Sequence, residues 1–169
     1  GRRELFPVFY GDAYNAVGVA ELLDAVVAYT PSPSQSSGLK LSDGSILAAE
    51  AEAPLCALVF KTVVEHHVGE LSLLRLYAGT LKAGDDAFNV SRQTNERIGQ
   101  IYRLNGKERV EVDRASAGDI VALVKLKDTH TGNTLCAKGS DMVLPAVQFP
   151  EPLIRVAVSA KEKGQEDRM

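Results

Sequence analysis

Leu55-Cys56-Ala57-Leu58-Val59-Phe60-Lys61-Thr62-Val63-Val64 is the stretch on which the fold turns. Branched and aromatic side chains crowd it, and such residues fit a pleated, half-buried surface better than a helix. A second run of the same kind, residues 71–77, follows after Glu65-His66-His67-Val68-Gly69-Glu70. Gly69 permits a tight connection, so the two runs read as a β-hairpin. Shorter runs recur at 87–90, 97–104, 110–112, 120–126 and 142–144. Gly79, Gly84-Asp85, Asn105-Gly106, Gly118-Asp119 and Thr131-Gly132-Asn133 punctuate them. Many short strands with turns at this spacing predict a small barrel or sandwich. Closure favours the barrel, since it leaves no unpaired edge.

Upstream, residues 5–10 are apolar and aromatic and end at Gly11-Asp12, which predicts a buried strand feeding a loop. Val19, Leu22, Leu23, Val26 and Val27 then recur at steps of three and four, so 17–29 read as an amphipathic helix opened by Asn15 or Gly18. Pro31 and Pro33 end it, because proline lacks the backbone donor and disfavours helical geometry before it. Residues 32–44 are rich in Ser, Pro, Gly and Gln and read as a linker, while 46–53, mostly alanine and glutamate, fit a helical turn or a loop. Downstream, Phe149-Pro150-Glu151-Pro152 interrupts the pattern and 153–158 alternate as one further strand.

Composition sets outer bounds. The chain has 169 residues, 45% of them apolar and 24% charged, with a formal net charge of −3, so disorder and bulk-charge binding of nucleic acid are not the default. Cys56 and Cys136 stand far apart within apolar runs, without Cys or His at metal-ligand spacing, and read as reduced core residues. No apolar stretch has the length of a membrane span or the pattern of a signal peptide, so the expected location is the cytoplasm. Both ends read as cut: no methionine opens the chain and 161–169 close it on a charged run.

Several motifs carry a family resemblance. Phe149-Pro150-Glu151-Pro152-Leu153-Ile154 resembles the FPEPVI segment joining the second and third domains of elongation factor G, and Asp128-Thr129-His130-Thr131-Gly132-Asn133-Thr134-Leu135-Cys136 resembles the DTTTGDTLC before it. Arg75-Leu76-Tyr77-Ala78-Gly79-Thr80-Leu81 is similar to RVYSGTL, Ala117-Gly118-Asp119-Ile120 to AGDI, and 19–33 to VQALLDAVVDYLPSP. The resemblance runs from about Pro7 to the end and implies a mainly β chain. It would hold the last strand and helix of an α/β GTPase domain (1–33), a linker (34–53), a translation-factor β-barrel of the domain II type (54–147) and the start of a third domain (148–169). The parent would be a GTPase using GTP and Mg²⁺ to move tRNA and messenger through the ribosome. This piece, lacking a Gly-x-x-x-x-Gly-Lys-[Ser/Thr] phosphate loop, would hold neither and would be no enzyme. Two rivals stand beside that reading: a specialised relative acting in ribosome recycling or protection, and an unrelated ligand-binding barrel.

The same resemblance assigns sites. Gly11-Asp12-Ala13 takes the place of a guanine-contacting Gly-Ser-Ala turn, with Asp12 where serine is usual, and would serve only in the intact protein. Arg92, Arg97, Arg103, Lys107 and Arg109, opposed in their stretch only by Glu96 and Glu108, would face ribosomal RNA of the small subunit, with Tyr102 adding an aromatic surface. This chain is less basic there than the family pattern: Arg92-Gln93-Thr94-Asn95-Glu96-Arg97-Ile98-Gly99-Gln100 stands for KGKRERVGR, and Glu70 for a turn lysine. A solvated barrel face is the plainer reading of that stretch. His66 and His67, adjacent on an extended chain, point to opposite sides and cannot chelate one metal. His130 lies near Asp128 without a serine or cysteine nucleophile in a recognisable motif, so no catalytic residue and no metal site is expected.

Overall fold

Alternation in the second hairpin strand builds the core. Leu74 and Leu76 are fully enclosed while the alternate residues Arg75 and Tyr77 are partly exposed, as a period of two requires. The structure, a computed structural model, describes residues 4, 6–41, 43–65, 69–106, 108–157 and 159. One helix, α1 (Val19–Tyr29), precedes a 3₁₀ turn (Pro33–Gln35) and the strands β1 (Leu39–Lys40), β2 (Ile46–Leu47), β3 (Cys56–Glu65) and β4 (Gly69–Ala78). After them come β5 (Thr80–Lys82), β6 (Asp86–Asn89), β7 (Thr94–Arg97) and β8 (Ile101–Asn105). The last four are β9 (Glu108–Val112), β10 (Arg114–Ser116), β11 (Ile120–Val124) and β12 (Thr134–Cys136).

Eight strands pair antiparallel in the order β7-β6-β12-β3-β4-β11-β8-β9, and β5 pairs with β10. Ala87 from β6 and Ile101 from β8, strands near opposite ends of that order, share one core with Leu74, Leu76, Leu81, Val121, Leu123 and Leu135. The sheet is therefore curled around a single interior. Backbone bonds from Gly84 N to Ile98 O (2.9 Å) and Ala83 N to Asp113 O (2.9 Å) tie its far strands to the β5–β10 ribbon. The chain is mainly β, built on a barrel of this kind.

A bulge at Phe60 reverses the faces of β3. Val59 pairs with Leu74 but Lys61 pairs with Leu73, so one residue is left over and the alternation shifts. Past the bulge, Leu71, Ala122 and Val124 make a separate apolar cluster with Leu73, Tyr102 and Leu104. The segment expected to be a linker also contributes packing: Leu41 is buried beside Cys56, Ala78, Cys136 and Leu144.

Several expected boundaries differ. The run 97–104 is two strands, because Ile98 bonds back to Asp85 and Gly84 and turns the chain between two ladders. The strand expected over 120–126 stops at Val124, where Lys125 takes a left-handed φ of 58°. Residues 142–144, 6–10 and 153–157 join no ladder among the described residues, and apolar runs without a neighbour are not strands. The turn histidines His66 and His67 and the tail 161–169 lie outside the described residues. The helix starts at Val19 after Gly18, one of the two expected starts, and only Ala25 on it is buried.

Candidate functional site

The β6–β7 hairpin and the loop from Lys125 to Asn133 hold the first two predicted cations. Arg92, in the hairpin turn, sets Nη2 at 2.9 Å and Nε at 3.1 Å from Asp128 Oδ1. Its guanidinium holds the Asp128 carboxyl below the ordinary carboxylate range, aided by His130, whose Nε2 lies 3.5 Å away. Arg97, at the other end of β7, pairs with Asp86 at 3.0 Å. Arg103 on β8 approaches Asp119 at 4.0 Å, and Arg109 on β9 is also engaged by a neighbour. Lys107 lies outside the described residues. The four described arginines thus divide between two hairpins at opposite ends of the strand order, and Asp128, Asp86 and Asp119 stand against three of them.

Glu96 has a different role from the counter-charge its position in the sequence implied. It is 1% exposed and accepts hydrogen bonds from Lys127 N (2.9 Å), Asp128 N (2.8 Å) and the Thr129 hydroxyl (2.7 Å). Asn89 Nδ2 donates to Thr129 Oγ1 (2.9 Å) and Asn133 Oδ1 (3.1 Å) from the same side. Burial costs a carboxylate its hydration, and three aligned donors replace it. The 128–133 part of the motif is therefore a strapped loop, running into β12, that fixes Asp128 beside Arg92.

At the N-terminal turn, Asp12 exchanges two backbone bonds of 3.0 Å with Val17, and its carboxylate accepts from Tyr14 N (3.0 Å) and Asn15 Nδ2 (2.5 Å). The Asn15 side chain is the main cause of its lowered pKa. Gly11 is required by packing: a Cβ there would meet Val17 O at 2.5 Å. Gly11, Asp12 and Ala13 are exposed, and the Asp12 amide, carbonyl and carboxylate are all spent within the turn. These residues do not by themselves fit a magnesium-bound triphosphate, which needs convergent donors and a cation.

Arg75 on β4 has surroundings that its motif alone does not indicate. It lines a groove of about 260 Å³ with Ser32, Pro33, Leu39, Leu47 and Tyr77, its guanidinium 5.4 Å over the Tyr77 ring. Its Nε is buried without a hydrogen-bond partner among the described residues. The strand around it carries the signal: a lone arginine on the partly exposed face of an otherwise leucine-rich run. Among the described residues no three His, Cys, Asp or Glu side chains converge on a metal-sized site, and no helix is long and apolar enough to cross a membrane.

Residues 54–138 match the family model for domain 2 of elongation factor G. The chain is also similar to Elongation factor G 2 of Syntrophomonas wolfei subsp. wolfei, 39% identical over 98% of this chain. It spans 25% of that relative's length. The match begins two residues before β3 and ends two after β12, so it encloses the curled sheet and the strapped loop. On these grounds this chain belongs to the elongation factor G family.

Proposed function

We propose that this chain is the barrel and its flanks from a ribosomal translocase, a cytoplasmic GTPase that works on the ribosome with GTP and Mg²⁺ held elsewhere in the parent. Residues 1–33 would close the GTPase domain, 34–53 connect it, 54–147 form the barrel and 148–169 open the third domain. The observation that carries this is the family match over the barrel, extended by a named elongation factor across nearly the whole chain. The exposed apolar face of α1, with Leu23 59% and Val27 84% exposed, supports a missing sheet against which it packs. Gly11, Asp12 and Ala13 would contact guanine through the rim of their turn only in the intact protein.

The barrel's part is to contact small-subunit ribosomal RNA. Arg92, Arg97, Arg103, Lys107 and Arg109 supply the cations, which neutralise phosphates without reading sequence. Arg97 and Arg103 remain more than half exposed beside their carboxylates, and surface pairs of this kind are weak enough to exchange for a phosphate. The test is GTP hydrolysis by the full-length parent with and without ribosomes, set beside calorimetric titration of this chain with GTP and Mg²⁺. Ribosome-stimulated hydrolysis in the parent and no heat of binding in the chain are expected. A parent without ribosome stimulation, or micromolar affinity in the chain, would overturn the assignment.

A further inference from the structure

Cys56 and Cys136 are distant in sequence but sit side by side on neighbouring strands of the barrel wall. We propose that they are a modification site: two-electron oxidation by a small disulfide joins them in a disulfide between β3 and β12. The strands set Cys136 directly opposite Cys56, and the two sulfurs lie 3.9 Å apart. Bonds from Ala137 N to Leu55 O and from Val59 N to Asn133 O, each 3.0 Å, mark the hydrogen-bonded pairs of this ladder. The cysteines fall between those pairs, at a non-hydrogen-bonded position, where opposed Cα atoms approach to about 4.5 Å. That separation lies within the range of about 4.4–6.8 Å that disulfides span. Rotation about χ1 then has to close only the remaining gap between the sulfurs.

Both cysteines are fully enclosed, so a reagent needs an opening. Their cover is the least laddered part of the barrel. Leu41 follows a two-residue strand, and Met142 and Leu144 sit on a segment that joins no ladder. That segment is held to β12 by the bond from Cys136 Sγ to Met142 O (3.0 Å) and by Leu144 N to Thr134 Oγ1 (3.2 Å). Local opening there is cheaper than unfolding the eight-stranded sheet.

Cys136, whose sulfur lies directly beneath the cover at Met142, is the first that an opening exposes, and it attacks first. The neighbouring Cys56 thiol, and then Ser140, pull its pKa below that of an ordinary thiol, whereas the contact with Cys136 and burial push Cys56 up. The Cys136 thiolate attacks one sulfur of the small disulfide, forms a mixed disulfide and expels one thiolate. With Cys136 no longer an anion, Cys56 loses the charge that opposed its ionisation. It deprotonates, attacks the Cys136 sulfur and expels the second thiolate. The two thiol protons leave with the two small thiols, and the two electrons reduce the reagent. The Cys136 sulfur then has no hydrogen to donate to Met142 O, so the cover at 141–144 loosens.

The test exposes the folded full-length chain to oxidised glutathione, blocks free thiols with maleimide after denaturation, and reads intact mass and peptide maps. The expected product has lost two hydrogen atoms, takes up no maleimide, links the peptides of Cys56 and Cys136, and regains both maleimide sites after dithiothreitol. Cys56→Ser is expected to stop at one stable glutathione adduct on Cys136. Hydrogen exchange at 141–144 is expected to rise on oxidation of the wild type. Two maleimide-reactive thiols after oxidant, a lasting glutathione adduct in the wild type, or disulfide-linked dimers would each overturn the proposal.

Discussion

Glu96 Oε1 accepts the Thr129 hydroxyl at 2.7 Å, and both side chains are almost wholly enclosed. Two elements separated by 33 positions are thereby joined, the β7 strand and the loop that presents Asp128. A charge that belongs by sequence to the basic stretch is spent inside the fold.

Removing that carboxylate leaves three donors without an acceptor. Glu96→Ala is expected to cost about 1–3 kcal/mol for each donor that water fails to reach. Glu96→Gln, which keeps one acceptor oxygen, is expected to cost less. Urea denaturation of the two variants against wild type reads the difference, and an unchanged midpoint in Glu96→Ala would show that water fills the site.

Arg92→Gln tests the pair that the loop presents. Asp128 lies below its ordinary 3.8 because Arg92 hydrogen-bonds to its charged form. A carboxylate with a depressed folded pKa adds stability above its unfolded pKa, and loses it as pH falls through the folded value. In the variant the Asp128 titration, followed by carboxyl NMR, is expected to move up towards 3.8, and the acid side of the stability profile to flatten slightly. An unmoved titration would mean that the ion pair is absent in solution.

Gly79 closes the β4–β5 corner with a φ of 78°, and a Cβ there would meet Leu55 N at 2.6 Å and Ala53 O at 2.8 Å. Both obstacles are backbone, so they cannot swing aside. Gly79→Ala is expected to destabilise the barrel by at least about 1 kcal/mol, the cost of the left-handed conformation alone. Thermal unfolding reads it, and a shift no larger than for an exposed surface alanine would contradict the packing described here.

Helix α1 and strand β4 are expected to separate in hydrogen exchange. Only Ala25 on the helix is buried, whereas β4 is paired on both sides. The helix amides are expected to open first, and protection equal to that of β4 would show that the exposed face has found a partner, such as a second copy.

How much could be read beforehand depended on the length of the signal. The long β3–β4 runs and the α1 period announced themselves because ten or more residues repeat a pattern. The strands β5, β10 and β12 have three residues each, too few for a period to emerge from local composition. The break at 98–100 was hidden because Ile98 is as apolar as a strand residue, and only its bonds to Gly84 and Asp85 show the turn. At the candidate site the residue types were legible but their partners were not. Asp86, Asp119 and Asp128 reach the arginines through ladders and loops that local spacing does not encode. The adjacency of Cys56 and Cys136 was invisible for the same reason, since their contact spans 80 positions.

The most direct measurement is the affinity of the full-length parent for small ribosomal subunits over a salt series, with wild type set against Arg97→Ala, Arg103→Ala and Asp86→Asn. If the barrel arginines meet phosphates, each alanine variant weakens binding and reduces the slope against log salt by about 0.7–0.9. Asp86→Asn, which releases Arg97 from its carboxylate, strengthens binding. Unchanged affinity and slope in both Arg97→Ala and Arg103→Ala would contradict the account and leave these arginines as a solvated face of the barrel.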